Sequence, residues 1–211
     1  MELRLRLVRG RRLLALALVA GAALLTGCGG GDGGGVGVDP GNGGNGGSGE
    51  TVLLGGKTWM KKNLNVQTAD SWCYGNDASN CAKYGRLYTW SAAVSACRLL
   101  GSGWRLPTRA DWDALEQAVG GSSVAGRNLK STSGWYDNGN GTDGYGFTAL
   151  PGGYRYSGGS FGYAGNYGLW WTATEHGGGN AYRRYVDYYD DYVREYYNDV
   201  GGGFSVRCVG D

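Results

Sequence analysis

The chain opens on an apolar run of 13 residues, Leu13 to Leu25, and carries no other of that length. From residue 51 onward, apolar positions come in short groups separated by glycine and polar residues. Val52-Leu53-Leu54, a Gly55-Gly56 turn and Lys57-Thr58-Trp59-Met60 predict an opening hairpin. Trp90, Ala93, Val94, Cys97 and Leu100 fall near helical spacing and predict a helix over about 90–100. Thr108 is a good N-cap residue, Asp111 completes a capping-box pattern, and Trp112, Leu115 and Val119 follow as one apolar stripe. Gly120-Gly121 ends that helix. Leu169 to Thr174 and Phe204 to Val209 read as two hydrophobic strands.

Between those strands the pattern changes. From His176 to Asp199, 14 of 24 residues are Tyr, Asp, Asn or His. A core would not select that set, and neither would a disordered tail, so the segment reads as a presented surface. A two-residue turn at Asp190-Asp191 would set Tyr189 opposite Tyr192, Asp187 opposite Arg194 and Tyr185 opposite Tyr196. One face would carry Tyr185, Asp187, Tyr189, Tyr192, Arg194 and Tyr196. The other would turn Val186, Tyr188 and Val193 toward the core.

The first apolar run is too short to span a bilayer as a helix, which takes about 20 residues. With Arg4, Arg6, Arg9, Arg11 and Arg12 before it, it fits a secretory signal over residues 1–27. It ends in Leu25-Thr26-Gly27-Cys28, which resembles a bacterial lipoprotein signal with Cys28 as the lipidated residue. Gly29 stands where an aspartate would favour inner-membrane retention, so a lipid-anchored protein of the outer membrane, displayed at the cell surface, is expected. Residues 28–50 are the lipidated cysteine and a tether; 13 of the 21 residues from 29 to 49 are glycine. The folded domain is expected over 51–211, touching the membrane through the lipid alone. Without the signal the chain holds 15 basic and 17 acidic residues, so no basic footprint for nucleic acid remains.

Four cysteines are left, Cys73, Cys81, Cys97 and Cys208, an even number in an exported chain. Three connectivities are open. Cys73 and Cys81 flank a turn-rich stretch, which favours a small closed loop and leaves Cys97 to tie the early helix to the final strand. The spacing forms no two C-x-x-C pairs, which argues against zinc. One histidine, His176 in a glycine-rich stretch, leaves no multi-histidine iron site and no Ser-His-Asp arrangement. The expectation is a binding protein, not an enzyme, with no cofactor. Calcium is the one cation the texture suggests, at Asp137 to Gly144, although that stretch lacks EF-hand spacing and reads more simply as a turn.

A family resemblance enters on a set of ordered motifs. They include Tyr84-Gly85-Arg86-Leu87-Tyr88-Thr89-Trp90, Gly103-Trp104-Arg105-Leu106-Pro107, Leu129-Lys130, Gly146-Phe147-Thr148-Ala149-Leu150-Pro151-Gly152-Gly153, Trp170-Trp171-Thr172-Ala173-Thr174-Glu175 and Gly203-Phe204-Ser205-Val206-Arg207-Cys208-Val209. Over 51–211 the chain resembles the Fibrobacter succinogenes major paralogous domain. The Arg105-Leu106-Pro107-Thr108 segment and the closing strand are also similar to the formylglycine-generating-enzyme branch of the C-type-lectin-like fold. The resemblance implies an α+β, C-type-lectin-like fold with two short helices, a small mixed sheet, long loops and adjacent termini. An oxidase of the formylglycine-generating type would need free cysteines, for which disulfides are the better use here.

Tyrosine offers a large rigid contact and a hydroxyl at low entropic cost, and it dominates paratopes together with Gly, Ser and Asn. Tyr, Asp, Asn and His codons also differ only in their first base, the outcome of adenine-directed mutagenesis of Asn codons. The layout is similar to lectin-like proteins diversified by retroelements. Tyr156, Tyr163, Tyr167, Asn180, Tyr182, Tyr185, Asp187, Tyr189, Tyr192, Tyr196, Tyr197 and Asn198 are the candidate ligand-binding residues. A protein or glycan on another cell or surface is the expected partner, and a fixed aromatic, sugar-stacking surface is the rival to a diversified one.

Overall fold

A computed structural model describes residues 49–211. The signal segment, Cys28 and most of the tether lie outside the described residues. The elements run β1 (Thr51–Leu54), β2 (Lys57–Met60), β3 (Ser71–Trp72), α1 (Ala78–Tyr84), β4 (Leu87–Tyr88), α2 (Trp90–Arg98), β5 (Trp104–Arg105), α3 (Arg109–Ala118) and α4 (Ser122–Leu129). There follow β6 (Tyr154–Arg155), β7 (Phe161–Gly162), β8 (Tyr167–Gly177), β9 (Asn180–Asp187), β10 (Arg194–Asp199) and β11 (Val209–Gly210).

The fold is α+β, but not in the proportions implied by the resemblance. It has four short helices where two were expected. Helix α1 forms inside the stretch read as a turn, because Asp77 caps it by accepting from the Ser79 N–H at 2.8 Å. Helix α4 has a weak pattern with Gly126 in its middle, and it forms because Ala125, Gly126 and Leu129 are buried. The single mixed sheet is replaced by small sheets in orders β1-β2-β11-β5, β10-β9-β8, β3-β4 and β6-β7, all antiparallel. Parallel contacts are confined to the isolated bridges Lys130–Ala149 and Trp170–Ser205. The short connections within the β1–β2, β6–β7, β8–β9 and β9–β10 pairs favour antiparallel pairing, since a parallel pair needs a long crossover.

The expected local elements form. β1 and β2 pair across Gly55-Gly56. The Thr108 hydroxyl accepts from the Asp111 N–H at 3.2 Å while the Asp111 carboxylate accepts from the Thr108 N–H at 2.7 Å, the reciprocal capping box. Cys73–Cys81 and Cys97–Cys208 are both disulfides. The opening hairpin and the last strand meet through β2, with Val209 between Trp59 and Arg105.

The core is split in two by β8, because adjacent strand residues point to opposite faces. Trp170 packs with Trp59, Trp112 and Phe147 on one side. Trp171 packs with Tyr88 and Phe204 and the Cys97–Cys208 bridge on the other. The segment read as the closing strand is a seam more than a strand. Residues 202–209 are all buried, and their backbone bonds to Tyr88, Leu169, Trp171, Leu64 and Met60 in turn. Only Val209–Gly210 remains a strand. Arg207 lies within this seam at 0 % exposure, donating to Asn63 Oδ1 and to the carbonyls of Met60, Phe147 and Thr148.

Candidate ligand-binding surface

Strands β8 and β9 turn through Gly178 and Gly179 at φ of 60° and 77°, backbone that favours glycine in a two-residue hairpin. β9 and β10 are joined by six residues, Tyr188 to Val193, instead of a two-residue turn at Asp190-Asp191. Arg194 therefore stands opposite Tyr185, and Tyr196 opposite Arg183, two residues off the expected register. The loop is longer because its backbone is held elsewhere. The Tyr188 N–H donates to Asn166 O, Val193 N–H to Ser122 O, and the Lys130 ammonium donates to the carbonyls of Asp187 and Asp190 at 3.1 and 2.8 Å. A slip of two residues keeps every side chain on its face, where a slip of one would have exchanged them. Val186 and Val193 accordingly reach the core, and Tyr188 packs against it.

One face of this sheet carries Tyr167 and Leu169 from β8, Arg183 and Tyr185 from β9, and Asn198 from β10. Against it stand Tyr154 and Tyr156 from the β6–β7 hairpin, with Tyr163 just beyond it and Phe204 from the buried seam. Together with Tyr189, these residues line a cleft of about 390 Å³, rimmed by Arg155, Ser157, Asp199 and Gly202. Neighbouring rings form a chain. Tyr156 lies 4.8 Å from Tyr154, Tyr154 is stacked 5.5 Å from Tyr163, Tyr163 is edge-on to Tyr167 at 5.4 Å, and Tyr167 is 6.4 Å from Tyr185. The hydroxyls of Tyr154 and Tyr156 share a hydrogen bond of 3.0 Å. Tyr163 takes a φ of 66°, a region a bulky residue enters only under constraint.

Burial raises Tyr154 and Tyr167, and the Asp187 carboxylate beside Tyr189 pushes that phenol up to about 12. Burial draws the Arg183 guanidinium down to about 10, still charged at pH 7.

Six of the twelve candidates thus line one cleft: Tyr156, Tyr163, Tyr167, Tyr185, Tyr189 and Asn198. The others do not. Tyr196 is at the outer edge, 53 % exposed, with its ring stacked 4.9 Å from that of Tyr197. Tyr197 in turn stacks on His176 at 3.7 Å, and Tyr182 lies under the Arg109 guanidinium at 4.1 Å, so these form a second aromatic group on the opposite face. Tyr192 is exposed under the Arg194 guanidinium, and Asn180 braces the β8–β9 turn by donating to Gly178 O at 3.2 Å. Asp187 corrects the expected surface face, for it is 0 % exposed and braces the loop.

Sequence reading missed Arg183, Tyr154, Arg155 and Asp199. The first two were within reach of period-two alternation: Arg183 precedes Tyr185 by two, and Tyr154 precedes Tyr156 by two. In the stretch from Asp137 to Gly144, expected as a turn with calcium as the rival, two side chains spend their oxygens internally. Asp143 accepts from the Thr148 N–H and hydroxyl, and Asn140 Oδ1 accepts from the Trp135 N–H. Among the described residues, no group of three His, Cys, Asp or Glu side chains could hold a metal ion.

The family model of the Fibrobacter succinogenes major domain matches residues 52–210. Comparison with curated proteins and with solved structures returned no match.

Proposed function

The chain belongs to the Fibrobacter succinogenes major domain family, and on that premise we propose that it is a binding module whose tyrosine-lined cleft receives a ligand outside the membrane. The observation that carries this reading is convergence. Tyr156, Tyr163, Tyr185, Tyr189 and Asn198 come from separate segments yet line one concavity, within the roughly 300–1,000 Å³ typical of small-molecule sites. A lipid on Cys28 and the glycine tether would carry this cleft to the outer-membrane surface. The C-type-lectin-like fold belongs to the same reading, supported by the meeting of the β1–β2 hairpin with β11 and by a separate β10-β9-β8 sheet.

The test is a screen of purified protein against a glycan array and against surface proteins of neighbouring cells, with a Tyr163→Ala/Tyr185→Ala variant alongside. Binding lost in the variant while its circular dichroism is retained is the expected result. Binding unchanged by the two substitutions would place the ligand elsewhere and end this reading.

A second reading, retroelement diversification, draws support from the distribution of exposure. Tyr185, Tyr189, Tyr192, Tyr196, Tyr197 and Asn198 are exposed or half-buried, whereas residues 202–209 are buried. Asp187, fully buried, runs against the pattern. The gene's surroundings decide it. A near-identical repeat differing at template adenines, beside a reverse transcriptase gene, is what diversification requires.

A further inference from the structure

Three arginines of this domain are largely withdrawn from water, and two of them find their partners within the fold. Arg184 meets the carboxylates of Asp113, Glu116 and Glu195, although its Nε makes no hydrogen bond. Arg207 donates to four oxygens. Arg183 is different. Its Nε donates to Asn198 Oδ1, but Nη1 is buried without a hydrogen-bond partner, and among the described residues no carboxylate lies within 4.0 Å. Its surroundings are rings instead: Tyr185 at 4.6 Å, and Tyr196 and Phe204 at 5.6 Å each. Ring faces repay only part of the desolvation of a guanidinium, and a charge without a counter-ion in such a place is a standing penalty.

This open cation lines the cleft. Arg155 lines it too, its guanidinium 3.9 Å from the Trp72 ring. Asp199 is the one carboxylate in the lining, and it already accepts from the Gly201 N–H at 2.8 Å. The cleft therefore carries an excess of positive charge within walls of phenol. A guanidinium pairs best with a planar anion through two parallel N–H bonds, and the terminal nitrogens of Arg183 are the ones left over.

We propose that the cleft binds an acidic saccharide, with the carboxylate of a uronic-acid ring on Arg183 and the pyranose faces against the rings of Tyr163, Tyr167 and Tyr185. This rests on the reading of the cleft as a ligand site. A saccharide suits the walls better than an acidic side chain of a peptide, because broad rings edged with hydroxyls match a flat body that bears both C–H faces and hydroxyl groups. A slim carboxylate side chain would leave the rings uncovered. Neutralising Arg183 also removes the penalty it carries in the free protein, so binding and stability should rise together.

The test uses purified protein and calorimetric titration with an oligogalacturonate, with the same oligomer fully methyl-esterified, and with a polyglutamate peptide. The free acid is expected to bind at least about tenfold tighter than the ester, with the preference weakening as salt is raised. Arg183→Gln should bring acid and ester to equal affinity, and thermal melts with saturating free acid should rise for the wild type alone. Should Arg183→Gln fail to fold, the acid–ester ratio of the wild type decides. Equal affinity for acid and ester overturns the inference while leaving the cleft as a neutral-sugar site. Binding of polyglutamate with no binding of either saccharide overturns it in favour of a protein ligand. No binding of any of the three overturns it as well.

Discussion

Arg194 pairs through its backbone with Tyr185 but through its guanidinium with Asp187, two residues further along β9, at 3.1 Å. The same guanidinium also meets Asp190 within the connecting loop. One cation thus spans the strand end and the turn, and it answers a carboxylate with no exposure to water. Replacement by glutamine would leave Asp187 buried and unpaired. Breaking a fully buried pair costs about 3–5 kcal/mol; since the Arg194 side chain is 36 % exposed, about 2 kcal/mol is expected for Arg194→Gln. Burial already raises the Asp187 carboxyl, with Asp190 adding to it, and loss of Arg194 raises it further. A raised carboxyl lowers stability as pH climbs through it, so the deficit should be full at pH 7 and shrink toward pH 4. Urea unfolding of both proteins across that range checks the sign.

Glu116 offers a second, independent pH signature. It is 5 % exposed, and burial pushes its carboxyl up to about 7 even though Arg184 lies 3.3 Å away, with Asp113 and Glu195 adding to the rise. The folded state therefore holds a proton that the unfolded chain has released, and this group withdraws stability as pH rises from 4.5 to about 7. Glu116→Gln removes that dependence. Its advantage over the wild type should grow across the window to about 1–3 kcal/mol at pH 8. Parallel stability curves for the two proteins would refute the assignment.

The two disulfides should differ in worth. Cys97–Cys208 closes 111 residues and Cys73–Cys81 only 8. Chain-entropy estimates are about 5 and about 2.5 kcal/mol respectively. Paired Cys→Ala substitutions, compared by denaturant midpoint, should show the larger loss for the long bridge. That bridge also joins α2 to the buried seam.

Gly126 lets the 188–193 loop lie against α4. A Cβ there would lie 2.5 Å from Tyr192 O and 2.6 Å from Asp191 O. Alanine improves helix propensity by about 1 kcal/mol, but the clash is with backbone and overpacking costs about 1–3 kcal/mol. Gly126→Ala should therefore destabilise, and should speed hydrogen exchange at the Val193 amide bonded to Ser122 O. Stabilisation by this substitution would show the loop free to move away.

Tyr163 separates binding from stability. Its positive φ costs on the order of 1–2 kcal/mol, which glycine would not pay. Tyr163→Gly loses contacts with Tyr154 and Tyr167, so its melting temperature should stay within a few degrees of the wild type while cleft binding falls. A parallel fall of both would make the ring a structural one.

Much was legible because much is local. The Thr108–Asp111 capping box, the stripe of Trp112, Leu115 and Val119, and the β1–β2 hairpin are specified within a few residues each. Spacing and number favoured the observed cysteine pairing among the three that were open. The oppositely charged Asp187 and Arg194 were recognisable as partners although their register was not. Helices α1 and α4 were illegible for the opposite reason: one is a single cap in a turn-like stretch, and the other depends on what Ala125 and Leu129 pack against.

By itself, the amino-acid order determined the opening hairpin, the capped helix and the tyrosine-rich segment, since periodicity, capping and composition act over short distances; its ordered motifs carried the resemblance that implied the family and the α+β class, and its cysteine spacing favoured one pairing of three. The tertiary structure decided which tyrosines share a cleft, sending Tyr185 to one face and Tyr182 to the other, and it set the register through contacts of the 188–193 loop with α4 and Lys130. It also decided which arginine stays unanswered. Arg183 and Arg184 are neighbours in sequence, yet strand alternation turns one toward three carboxylates and the other toward rings. The charge balance at a buried site is a sum over residues far apart in the chain, which only the assembled fold can evaluate.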